Sequence, residues 1–279
     1  MEAVGGIVRR ARRPPGWIAP GPRPSRAHDV GPRPGEDLCY LAGEWRILQR
    51  LDGHRWSLDD LVTAWVAFDE CAPSPPDRLV DLGCGIGTVL LLLAWRWPQL
   101  RGVGIEAQAA SVELARRSIA WNGAADRCTV RHGDFRDAAQ ITELPALPLV
   151  TGTPPYFAPA AATASSRSQR AHCRLELAGG VEAYVATAAS LLAADGRFVV
   201  CAASRQQARV AEAASRAGLV VTRRLAVVPR EGKGPLFDVH VMARRAVGRE
   251  RVDTLVVRDA QGRRTPACVA VRGAFGMPP

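Results

Sequence analysis

The chain has 279 residues, 47% hydrophobic and 23% charged, which suits one large or two small domains of ordinary globular composition. Its longest apolar run, residues 89–95, falls far short of the about 20 residues that cross a bilayer, so a transmembrane helix is excluded. The net charge of +10 sits at the two ends: residues 1–35 carry seven Arg against Glu2 and Asp29, residues 244–279 carry eight Arg against Glu250, Asp253 and Asp259, and the body is neutral. Of the 37 basic residues only Lys233 is not Arg, a bias that a GC-rich coding sequence explains as readily as phosphate binding, so the basic ends are read equally as RNA arms or as neutral passengers. The seven cysteines are scattered, odd in number and never spaced C-x-x-C, and the five histidines show no H-x-x-x-H pattern. Neither a disulfide framework nor a metal site is expected, and a reducing, cytoplasmic location is the default.

Residues 1–35 hold seven Pro and six Gly without apolar periodicity and read as a disordered tail. A transit peptide is the competing reading, opposed by the prolines from Pro14 onward, which break an amphipathic helix. Ser57 is a plausible N-cap for a helix carrying Leu58, Leu61, Val62, Trp65, Val66 and Phe68, ended by Pro73, Pro75 and Pro76. Strands at 78–82, 102–106 and 128–131 then alternate with helices at 87–97 and 108–121. A fourth strand is expected at 147–152, a helix at 181–193, a fifth strand at 197–202 and a helix at 205–217. The apolar runs 219–228 and 236–243, joined by the turn-forming segment 229–235, form a hairpin that adds an antiparallel strand. Residues 254–257 and 267–271 pair weakly at most. The predicted architecture is α/β, a doubly wound, mostly parallel sheet, with a tail at 1–35, one domain at 36–244 and a basic C-terminal tail at 245–279.

The most informative stretch is Asp81-Leu82-Gly83-Cys84-Gly85-Ile86-Gly87, between the first of the alternating strands and its helix. Its glycines permit a tight turn and let a ligand lie on bare backbone at a helix N-terminus. The third Gly comes one residue early for the dinucleotide fingerprint, and Thr88 stands where that fingerprint has Gly or Ala. A carboxylate at Asp81 would repel a pyrophosphate and favour a cationic cofactor carrying an ammonium and a sulfonium. Glu106, 19 residues after Gly87, can accept hydrogen bonds from both hydroxyls of a ribose. Asp134 can accept one from an adenine amine, with a helix N-cap as its competing role. Thr153-Pro154-Pro155-Tyr156-Phe157 closes the fourth strand; the prolines fix the Pro154 carbonyl and present the Tyr156 ring as a stacking platform for a planar substrate. Residues 158–174 carry Arg167, Arg170, His172 and Arg174 and read as a basic flap or a solvated loop.

This order of motifs resembles the class I S-adenosylmethionine-dependent methyltransferases. Residues 49–64 and the P-R-E-G-K at 229–233 are similar to the small-domain type, in particular the family that methylates adenine N6 in a valine tRNA. The resemblance covers about residues 43–244 and implies a seven-stranded sheet with a reversed last strand. It implies that Asp81, Gly83, Gly85 and Gly87 hold the methionine end of S-adenosyl-L-methionine, Glu106 its ribose and Asp134 its adenine. In that family the position of Thr153 is Asn, sometimes Asp or Ser. Its side-chain oxygen and the following proline carbonyl accept the two hydrogens of the target amine, whereas a threonine hydroxyl accepts one, with shorter reach. The expected substrate is a base of a structured RNA, tRNA or rRNA, with Thr153, Pro154 and Tyr156 as the catalytic set. A protein side-chain amide, a small planar molecule, and a catalytically inactive RNA-binding relative are the competing readings.

Overall fold

The computed structural model describes residues 5–10, 12–25, 30–154, 180–246 and 248–279. A short strand β1 (Ile7–Val8) lies parallel to β2 (Glu36–Ala42), which turns at Gly43 and Glu44 into antiparallel β3 (Trp45–Arg50). Gly43 adopts φ of +50° in this turn, a conformation open to glycine. Helix α1 (Leu58–Cys71) opens with a capping box in which Asp60 Oδ2 accepts the Ser57 N–H at 2.9 Å.

The alternation follows as β4 (Arg78–Leu82), α2 (Thr88–Arg96), β5 (Arg101–Glu106), α3 (Ala109–Trp121), β6 (Cys128–His132), the short α4 (Ala138–Ile141) and β7 (Leu147–Gly152). Beyond it come α5 (Val181–Leu191), β8 (Leu192–Ala203), α6 (Gln207–Arg216), β9 (Val220–Val228), β10 (Phe237–Ala243), β11 (Arg251–Val256) and α7 (Pro266–Ala274). The main sheet runs β11-β9-β10-β8-β7-β4-β5-β6, with β10 antiparallel to both neighbours. All seven β10 residues are buried, as expected for a strand covered on both sides and both faces.

Two apolar cores flank the sheet. One joins α1, α2, α3, the β2–β3 hairpin and the C-terminal Val271 and Phe275; the other holds α5 and α6. Every α2 residue except Arg96 is buried, which is why Thr88–Arg96 is apolar all round rather than on one stripe. The strand order reverses at β4, between β5 and β7, so the carboxyl ends of β4, β5, β6 and β7 share one edge with a switch point between β4 and β7.

Three expectations need correction. The described part of residues 1–35 is docked: β1 pairs with β2, Arg9 bonds the buried Asp37 at 2.8 Å and Arg13 bonds Glu44 at 2.7 Å, so specific pairing replaces the missing apolar periodicity. The sheet has eight strands where seven were expected, because β11 joins its edge parallel to β9. Arg223, 4% exposed, ties this addition down by reaching Asp253 of β11 at 3.0 Å and Asp69 and Glu70 of α1 at 2.7 and 2.8 Å. Finally, residues 267–271 are helical rather than a strand: Thr265 caps α7 by accepting the Cys268 N–H, and Pro266 occupies its first turn. β1, β11 and α7 thus pack against the rest of the fold. Among the described residues no helix is long and apolar enough to cross a membrane, and no cluster of His, Cys, Asp and Glu could hold a metal ion.

Candidate active site

Gly83, Gly85 and Gly87 all have positive φ (+59°, +54° and +85°), so the turn between β4 and α2 is a run of left-handed corners that side chains rarely adopt. Their surroundings differ. A Cβ on Gly83 would overlap the Tyr184 hydroxyl, and one on Gly87 would lie 3.3 Å from Ala115 Cβ, whereas one on Gly85 would meet no described residue within 4 Å. Gly85 thus faces open space, and the other two pack inward.

Three buried carboxyl groups surround this turn. Asp81, 1% exposed, accepts a 2.7 Å hydrogen bond from Thr151 Oγ1, and burial pushes its carboxyl up to about 7. Glu106, at the end of β5, accepts the Gly85 N–H at 2.9 Å through Oε2 and the Gln108 N–H at 2.8 Å through Oε1. Burial still raises it above the ordinary range. Asp60 is raised as well, by burial first and then by the charges of Asp59 and Asp81. Among the described residues none of Asp60, Asp81 and Glu106 forms an ion pair. Buried carboxylates without a cation are costly, so the turn is complementary to a positively charged ligand.

The register Leu82↔Gly152 sets the exits of β4 and β7 side by side, so Thr153 and the buried Pro154 leave the sheet beside Gly83. Asp134 lies beyond β6 and is bound by Arg136, through the guanidinium at 2.9 and 3.0 Å and the backbone N–H at 2.9 Å. The Arg136 hydrogen bonds hold Asp134 below the ordinary carboxylate range. Its competing role as a helix cap does not hold: Asp137 caps α4 by accepting the Ala139 N–H. Asp81, the three glycines, Glu106, Thr153 and Pro154 therefore meet at one edge. Tyr156 and the basic segment 158–174 lie outside the described residues.

Three residues at this edge escaped the sequence reading. Tyr184 of α5 lies over Gly83 and Gly152 and meets the Phe135 ring at 4.5 Å between centroids. A signal existed in Gly152, a small residue closing a strand where a β-branched one would otherwise pack. Thr151 was detectable as a hydroxyl inside an apolar strand. Asp60 resembled an ordinary cap, which it also is.

A family model described as a methyltransferase domain matches residues 79–147, from β4 to the start of β7. The chain is 29% identical over 220 residues to a tRNA1(Val) (adenine(37)-N6)-methyltransferase of Porphyromonas gingivalis, covering 77% of this chain and 85% of that protein. It is 27% identical over 190 residues to the protein of the same name from Yersinia pestis, covering 68% and 75%. In fold it is similar to a protein described as a predicted O-methyltransferase from Agrobacterium tumefaciens, with a TM-score of 0.58, 19% identity and coverage of 79% and 98%. Residues 79–147 thus match a methyltransferase domain, and the chain is similar in sequence to the tRNA1(Val) (adenine(37)-N6)-methyltransferases and in fold to the O-methyltransferase named above.

Proposed function

We propose that the chain methylates a nitrogen of a base in RNA, with tRNA as the substrate class. The observation that carries the cofactor half of this reading is the open space over Gly85, flanked by Asp81 and Glu106, which lack ion-pair partners among the described residues. Asp81 and the glycine turn would hold the ammonium-bearing methionine end. Glu106 spends one lone pair of each oxygen on Gly85 and Gln108, leaving one on each for a ribose hydroxyl. Asp134 would receive the adenine amine in exchange for a hydrogen bond from Arg136, whose donors engage both carboxylate oxygens. The bound sulfonium supplies an activated methyl group, so alignment is what remains for the protein.

On the substrate side, Thr153 Oγ1 and the Pro154 carbonyl would accept hydrogens of the target nitrogen, which directs its lone pair toward the methyl carbon. Tyr156 would stack the base. The target nitrogen, held by these two acceptors, would take the methyl group that the cofactor supplies and give up its proton to solvent. The relatives from P. gingivalis and Y. pestis, named for tRNA, support the choice of substrate. Incubation with radiolabelled S-adenosylmethionine and separate pools of tRNA, rRNA, protein and small metabolites tests it. Label in tRNA is expected; label confined to protein or metabolites would move the function to the side-chain amide or small planar substrate that a single hydroxyl at Thr153 also suits.

A further inference from the structure

Arg12 and Arg13 from one chain end and Arg272 from the other meet at a cavity. It has a volume of about 160 Å³ and is lined by Arg12, Arg13 and Trp17 from the N-terminal segment, Tyr40 and Trp56 from around the hairpin, and Arg272 of α7, with no acidic residue among its described lining. A void of roughly 150 Å³ is enough for one aromatic ring. The Arg13 guanidinium lies 5.3 Å from the Trp17 centroid and 5.0 Å from that of Tyr40, and Arg46 covers Tyr40 at 4.0 Å, so the rings are held by cations on their faces.

The charges there are unevenly matched. Glu44 pairs with Arg13 at 2.7 Å. Arg12 is exposed and makes no hydrogen bond or ion pair with another described residue. Arg272 is half-buried and, among the described residues, its side chain bonds the Pro278 carbonyl alone, at 3.0 and 3.2 Å; burial and then Arg264 lower its pKa. A cavity walled by three aromatic rings and two cations that pair with no acid among the described residues is complementary to a planar ring carrying an anion, which is the chemistry of a nucleotide.

This cavity is separate from the methyl-transfer edge. The Gly43 and Gly276 that line it pack on Trp95, near the last turn of α2, and Gly87 begins the first. Eight helical residues span about 12 Å at ~1.5 Å each. We infer that the cavity grips an unpaired nucleotide of the RNA at a distance from the base being methylated, its ring among Trp17, Tyr40 and Trp56 and its phosphate on Arg12 and Arg272. This rests on the nucleic-acid reading above. An acidic peptide is the competing occupant.

The test uses the full chain, titrated with tRNA, a single-stranded oligoribonucleotide and polyglutamate at several salt concentrations. Trp17→Ala should weaken tRNA binding about tenfold, within the ~1–3 kcal/mol of a base–aromatic stack. Arg12→Gln should reduce the slope of log affinity against log salt by about one. Both should leave S-adenosylmethionine affinity intact and raise KM for RNA more than they lower kcat. Arg12 is exposed, so its replacement preserves the fold should Trp17→Ala fail to. Wild type that binds tRNA, with variants equal to it in affinity and salt slope, would overturn the second site alone. Binding of polyglutamate but not of the oligoribonucleotide would overturn it in favour of a peptide. Wild type that binds no RNA would remove the nucleic-acid reading and this site together.

Discussion

Thr151 and Asp81 stand side by side in register on β7 and β4, and the threonine hydroxyl donates to the carboxylate at 2.7 Å. Both side chains are buried, so this one bond offsets part of the cost of an acid placed beneath the glycine turn. Replacing Thr151 by Val keeps the shape and removes the donor. The expected result is a loss of about 1–3 kcal/mol of stability for the ligand-free protein, measured by denaturant unfolding.

The same carboxyl makes stability depend on pH. It ionises near 3.9 in the unfolded chain and at about 7 in the folded, ligand-free protein. The folded state therefore binds the additional proton, so the stability from this group is complete below about pH 4 and is lost as pH rises through 7. Asp60 and Glu106, also raised by burial, act in the same direction. Between pH 5 and 8 the Tm of the ligand-free protein should fall, and the fall should be shallower in Asp81→Asn. A cationic ligand favours the ionised form, so S-adenosylmethionine affinity should rise over the same interval. An equal slope in the variant would exclude Asp81 as the titrating group.

Gly83 and Tyr184 share a contact that leaves no room for a methyl group. Gly83→Ala should cost about 1–3 kcal/mol through overpacking. Combining it with Tyr184→Phe, which removes the overlapping oxygen, should cost less than the two single changes together. Additive losses in that cycle would show that the strain lies in the positive φ of Gly83 instead.

Thr153 bears on the choice of target atom. Under the proposed role, Thr153→Ala should lower kcat by about 10- to 100-fold, the scale of one lost orienting hydrogen bond to the reacting group, with cofactor affinity unchanged. Thr153→Asn restores two-point acceptance together with Pro154 and should retain or raise the rate on an exocyclic amine. A dead Asn variant beside an active Ala variant would exclude hydrogen-bond acceptance as the function of this position.

Far from that edge, Arg223 gathers Asp69, Glu70 and Asp253, with its own side chain 5% exposed. Arg223→Met should destabilise the protein by about 3 kcal/mol, the lower end for breaking a buried pair because the acids keep some solvent. Calorimetry with S-adenosylmethionine should show unchanged affinity once the variant is folded.

The parts legible in the sequence were those with a strong local signature. Alternating apolar runs marked the strands from β4 to β10, and Asp81 with three glycines marked the turn. The runs at 219–228 and 236–243 announced the reversed strand, because no helix separates them. What escaped depends on long-range pairing. Residues 1–35 lack periodicity, yet Arg9 and Arg13 find acids placed on the hairpin by its own fold. β11 is a modest run whose place at the sheet edge is fixed by Arg223, about 30 residues earlier in the chain. The valines of 267–271 suggested a strand, but Thr265 and Pro266 just before them carry the stronger helix-start signal.

The most direct test of the whole account is calorimetric titration of S-adenosylmethionine into wild type and Gly85→Val, with Tm recorded for both. A Cβ at Gly85 meets no described residue within 4 Å and points into the open space assigned to the methionine end. Wild type should bind and the variant should not, beyond any loss of stability from a branched residue at φ +54°. Wild type that does not bind the ligand, or a folded variant that binds it equally well, would contradict the claim that this turn is where the methyl donor sits.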